Sequence, residues 1–109
     1  MAGKPGEPGA IFPMTKPVFI HPHVQAKAAA LPEGERVEYE AAVTRLGEEF
    51  GQPHLHAGLD IRKLHHHLFE CRAGLHWRLA FQDTAEGLQV VLLGTHEEIH
   101  QLVHSGKYD

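Results

Sequence analysis

Cysteine is almost missing from this chain. One thiol, Cys71, stands among 109 residues. That excludes an intrachain disulfide and points to a reducing compartment. Long apolar runs are also missing: none approaches the ~20 residues of a membrane span. The N-terminus shows no apolar leader core, so the expected location is cytoplasmic, with no membrane partner. Net positive charge is lacking too. Ten Lys and Arg face 14 Asp and Glu, for a formal charge of -4. No global attraction to nucleic acid follows from that balance. No internal repeat is visible, which excludes a solenoid or propeller.

Histidine, by contrast, is abundant, with 11 residues. The charges are unevenly placed. Glu33 to Phe50 holds six acids and two bases. Asp60 to Arg78 holds Arg62, Lys63, Arg72 and Arg78 against Asp60 and Glu70, with His65, His66, His67 and His76 among them. An acidic helix beside a basic sheet is compatible with a local anion site on an acidic protein. The length suits one domain with one modest core. Residues 1–16 carry Gly3, Pro5, Gly6, Pro8, Gly9 and Pro13, a density that predicts a disordered tail, leaving 17–109 as a single domain.

From there the pattern predicts a short strand over Pro17-Val18-Phe19-Ile20-His21. Pro22 suits the first position of a helix, with Val24, Ala28 and Leu31 as its apolar edge. Pro32 opens a second helix whose stripe is Tyr39, Ala42, Val43, Leu46 and Phe50, stopped by Gly51 and Pro53. The residues between Gln52 and Asp60 read as a loop. Three strands follow: Leu64 to Arg72, Leu75 to Asp83 and Leu88 to Leu93. The third is apolar on both faces and is expected in the sheet interior. Thr95 is positioned to cap a last helix whose apolar edge is Ile99, Leu102 and Val103. The predicted class is α+β. A small antiparallel sheet, the N-terminal strand plus a three-strand meander, carries a two-helix hairpin on one face and a short C-terminal helix.

Register sorts the faces. A two-residue turn at Ala73-Gly74 would put Glu70 with Trp77 on the apolar side. A three-residue turn that includes Leu75 shifts the parity by one. Phe69 and Cys71 then join Trp77, Leu79 and Phe81 in the core. His66, Leu68, Glu70 and Arg72 share the other, open face with His76 and Arg78, and Glu70 sits opposite Arg78. This register is preferred because burying Glu70 unpaired would cost several kcal/mol.

Gly58-Leu59-Asp60-Ile61-Arg62-Lys63-Leu64, Trp77-Arg78-Leu79-Ala80-Phe81 and Leu92-Leu93-Gly94-Thr95-His96-Glu97-Glu98-Ile99-His100 resemble, in order and spacing, segments of the RelE/ParE toxin superfamily. The resemblance spans roughly residues 17–104. It implies the toxin of a toxin–antitoxin system, a ribosome-dependent mRNA interferase of the endoribonuclease type that needs no metal or other cofactor. The implied partners are a cognate antitoxin, the ribosome and mRNA. It also implies roles: Arg78 on the scissile phosphate, and His96 and His100 in proton transfer. Arg72 and His76 share the predicted face with Arg78 and are candidates for substrate binding, against the plainer reading of a charged pair flanking the turn. The reaction, attack of a ribose 2′-hydroxyl on its neighbouring phosphate, needs a cation, a base and an acid. Members carry lysines on the second strand where this chain has Leu68 and Glu70.

The residues alone leave other readings open. Arg78 can be a surface ion pair with Glu70, and His96 and His100 can be solvated or helix-capping. A member of this fold can also act without catalysis, by binding gyrase or another protein. The spacings His21-x-His23, His54-x-His56 and His65-x-His67 raise a metal-binding protein as a further alternative, because residues two apart on a strand share a face. After His56 no glutamate follows at the short spacing that would complete a ligand box, and consecutive histidines alternate faces, so solvated histidines are favoured. Cys71 reads as a core thiol and Trp77 as core rather than a stacking platform.

Overall fold

The computed structural model describes residues 16–52 and 56–106. The elements run β1 (Val18–Ile20), α1 (Pro22–Ala29), α2 (Glu33–Glu49), α3 (His56–Leu59), β2 (Arg62–His65), β3 (Leu68–Arg72), β4 (Arg78–Thr84), β5 (Gly87–Gly94) and α4 (His96–His104). The strands form one five-stranded sheet in the order β1-β5-β4-β3-β2. The α+β class is as expected, but the sheet is mixed. β1 pairs with β5 in parallel, because α1 and α2 intervene and carry the chain back; β2 to β5 are antiparallel. The predicted tail lies outside the described residues except for Lys16, which is docked. Its N–H bonds the Gly47 carbonyl and its ammonium lies 2.6 Å from Asp83. Pro53 of the predicted helix stop is likewise outside them.

One face of the sheet receives α1 and α2. Phe69, Cys71, Leu79, Phe81, Leu88, Val90 and Leu93 meet Val24, Ala28, Leu31, Tyr39, Ala42, Leu46 and Phe50. The rings of Phe50, Phe69 and Phe81 pack within 5.0 to 5.7 Å of one another. Burial in this layer pushes the Cys71 thiol up to about 12, so the thiol is inert packing rather than a nucleophile. Pro22 starts α1 and Pro32 caps α2, each where a missing N–H removes no helical bond.

The opposite face is not open. α4 lies on it, with Ile99, Leu102 and Val103 against Leu64, Leu68, Ala80, Val91 and Leu92. α4 is held at its start by reciprocal bonds, from the Glu98 N–H to Thr95 Oγ1 and from the Thr95 N–H to the Glu98 carboxylate. The backbone bond and the nearby Lys27 keep the Glu98 carboxyl below its ordinary range. Both faces of β5 are therefore buried, as its unbroken apolar run requires, and the strand is interior, with β4 at the middle of the sheet.

The predicted first meander strand is two strands. Its histidines form the turn: His66 takes φ 43°, and β2 and β3 pair back to back around it. His65 to His67 are therefore not a strand face. The predicted parity of β3 and β4 holds, but the register differs by two. Arg72 pairs with Arg78 and Glu70 with Ala80, and the ladder continues to an Ala73–Trp77 bond around Gly74-Leu75-His76. Gly74 takes φ +123° there, a backbone that favours glycine. Ile99, wholly buried on the second face, is the main apolar anchor of α4. Ile99→Ala is expected to lower unfolding stability by about 2–5 kcal/mol in urea titrations, with amide protection in α4 lost first.

Candidate functional site

The register gathers charge at the end of the sheet where β3 stops and β4 starts. Arg78 projects on the same side as Glu70 and Arg72. Its Nε–H donates to the Glu70 carboxylate at 2.5 Å, and one Nη donates to Asp60 Oδ2 at 3.1 Å and to the Asp60 carbonyl at 3.3 Å. The Arg78 side chain is 13% exposed and that of Glu70 only 4%. The pair anticipated as a surface contact is thus a buried one. Glu70 reaches Arg78 diagonally, because its direct neighbour, Ala80, leaves room for the guanidinium.

Asp60 is the residue the sequence did not single out. It ends α3 at φ 54°, a conformation Asp tolerates better than most residues. From there its carboxylate meets Arg62 at 3.0 Å and Arg78 at 3.1 Å, with Arg72 at 3.8 Å. Burial alone would raise this carboxyl, but hydrogen bonds from Arg62 and Arg78, and their charges, hold it below the usual range. The only sequence-level signal was Asp60 two residues before Arg62.

Beside this cluster opens a cleft of ≈ 330 Å³ lined by Arg72, Gly74, Leu75, His76, Trp77, Arg78 and His96. Four of the five predicted site residues therefore line one cavity. The fifth, His100, has its ring centroid 4.3 Å from that of His96, with the planes tilted, one helical turn along α4. Their availability differs. Arg78 is clamped by two carboxylates, whereas Arg72 is 59% exposed. Leu75, at the tip of the β3–β4 connection, is 85% exposed.

Trp77 lines the cleft and is tied to α2 and α1, and through Lys27 to α4. Its Nε1–H donates to the Glu35 carboxylate, and Lys27 Nζ lies 4.9 Å above its ring and 3.8 Å from Glu98. Its ring also packs against the main core. Sequence reasoning placed Trp77 in the core and missed its second surface, because only the β3–β4 turn decides what the ring borders.

Among the described residues, no three His, Cys, Asp or Glu side chains gather where one metal ion could be held. The His21–His23 and His65–His66 rings meet in tilted pairs, with centroids 4.1 and 4.0 Å apart. His54 lies outside the described residues. No helix among them is long and apolar enough to cross a membrane.

No family model matches this sequence, and no curated protein matches it significantly. The fold does match a chain in the crystal structure of the archaeal RelE–RelB complex from Pyrococcus horikoshii OT3. The TM-score is 0.62 at 20% identity, over 75% of this chain and 96% of the other. The fold is therefore RelE-like, on a divergent sequence.

Removing one partner of a buried pair strands the other charge. Arg78→Ala is expected to lower stability by about 3–5 kcal/mol, while Glu70→Leu combined with Arg78→Met loses far less, as urea unfolding will show. Asp60 has a depressed folded-state value, so its stabilisation is full above the ordinary aspartate range. It is lost as pH falls through the depressed value. Asp60→Asn should flatten that acid branch of stability against pH.

Proposed function

We propose that this chain is the toxin of a toxin–antitoxin pair and cuts mRNA on the ribosome without a metal ion. The observation that carries this reading is the convergence of Arg72, His76, Arg78 and His96 on one cleft, with His100 against His96. The reaction needs cationic donors for the equatorial phosphate oxygens and a proton donor–acceptor pair in line with the attacking and leaving oxygens. Arg72, extended and exposed, supplies the guanidinium that can close on a phosphate in bidentate fashion. Arg78, fixed by Glu70 and Asp60, offers its remaining N–H groups from a rigid position. His96 and His100 serve as base and acid, and His76 binds the adjoining RNA. By analogy with the RelE–RelB assembly of the matched structure, the cognate partner is a RelB-like antitoxin. The setting is the cytoplasm.

A second reading, a non-catalytic member that arrests growth by binding gyrase or another protein, draws on one observation: two carboxylates already occupy much of the Arg78 guanidinium. Inducible expression with mapping of transcript 5′ ends separates the two. Growth arrest with cut transcripts is the expected result, and arrest with intact transcripts favours the second reading. Because Arg78→Ala is expected to destabilise the fold, the informative variants are Arg72→Ala, His96→Ala and His100→Ala, all at exposed positions. Loss of either histidine should reduce cleavage about 10²–10⁴-fold, the usual weight of general acid–base catalysis. Undiminished cleavage by both would remove the assignment.

A further inference from the structure

α4 carries His96, His100 and His104 at intervals of about one turn, all exposed, on a stripe that flanks the buried edge at Ile99. Residues four apart on a helix are surface neighbours. The His96 and His100 rings lie with centroids 4.3 Å apart and planes inclined at 47°. A zinc ion bound by two imidazoles sits ~2.0–2.1 Å from each nitrogen, so its two donors must lie within about 4 Å of each other. Rings whose centroids lie 4.3 Å apart on adjacent turns are close enough for one nitrogen of each to approach a shared ion. We propose that His96 and His100 form a two-ligand surface site for a divalent first-row metal ion of the zinc class.

Three features single out this pair. Among the described residues neither ring has a hydrogen-bond partner, so both nitrogens of each imidazole are available. The other pairs are committed: His21 Nδ1 accepts the His23 N–H at 3.3 Å, and His23 Nε2 donates to the Val91 carbonyl at 2.9 Å. His65 has interactions of its own, and His66 sits in a turn at φ 43°. The helix beneath is also rigid, capped by Thr95 and Glu98 and anchored by Ile99, Leu102 and Val103, so little ordering accompanies binding. Imidazole suits zinc, nickel and copper, whereas magnesium and calcium prefer oxygen donors. With two protein ligands, the remaining positions belong to water or to an anion in the adjoining cleft.

The inference is tested by binding alone and does not rest on the ribonuclease reading. Because it uses the same two imidazoles, a bound ion would occupy nitrogens that reading needs for proton transfer, so the ion would inhibit the cleavage rather than take part in it. Isothermal titration calorimetry of the full chain with zinc chloride should show a micromolar site. His96→Ala and His100→Ala should each weaken it at least tenfold, and His67→Ala should leave it intact. Zinc should also raise the thermal midpoint of the parent and His67→Ala proteins but not of the other two. Unchanged affinity in both α4 variants, or loss of the site in His67→Ala, overturns the proposal. Either result leaves the transcript-cleavage test unaffected.

Discussion

A guanidinium gripped by two carboxylates sets the geometry of the cleft end of this protein. Arg78 belongs to β4, Glu70 to β3, and Asp60 to the corner between α3 and β2. Their contacts tie three separate stretches of chain at one point. A buried ion pair is weak evidence for net stability, because desolvating both charges offsets much of the attraction. What it secures is position. In the observed register Glu70 is compensated by Arg78, which belongs to the next pair on the same face of the ladder. The cluster thus opposes slippage of the β3–β4 register and holds the cleft walls in place.

The same cluster sets the electrostatics. The chain as a whole is acidic, yet Arg72, His76, Arg78 and His96 line one concavity. Asp60 and Glu70 take up part of the arginine charge from below. The exposed cation at the mouth is then Arg72 rather than Arg78. Opposite it, α4 presents His96 and His100 because its apolar edge must face Leu68 and Ala80. Burial of one helix face dictates which side chains border the cleft, and so packing of the second core and composition of the site are one constraint.

Much of this was legible from residue patterns. The stripe of α2, the prolines at both helix starts, the Thr95–Glu98 cap and the two-sided apolarity of β5 each follow from local rules of period and capping. Of the five residues proposed for the site, Arg78, His96 and His100 came from short motifs and Arg72 and His76 from the face they share with Arg78, and all lie at one end of the fold. Less legible was anything that depends on chain reversal. The histidine triplet reads as strand by alternation, yet His66 turns the chain. The β3–β4 connection reads as a three-residue turn, and its true closure by Ala73 and Trp77 moves the register by two without changing the faces.

The sequence by itself determined which side chains share a face, where the helices begin, and which residue types are at hand for phosphate and proton chemistry. These depend on spacing along the chain, and spacing is local. Only the tertiary structure decided that β1 runs parallel to β5, that α4 closes the second face, and that Asp60 reaches across to Arg78. Those outcomes rest on contacts between residues far apart in the chain. They are selected by the need to bury both faces of β5 and to leave no charge at Glu70 uncompensated.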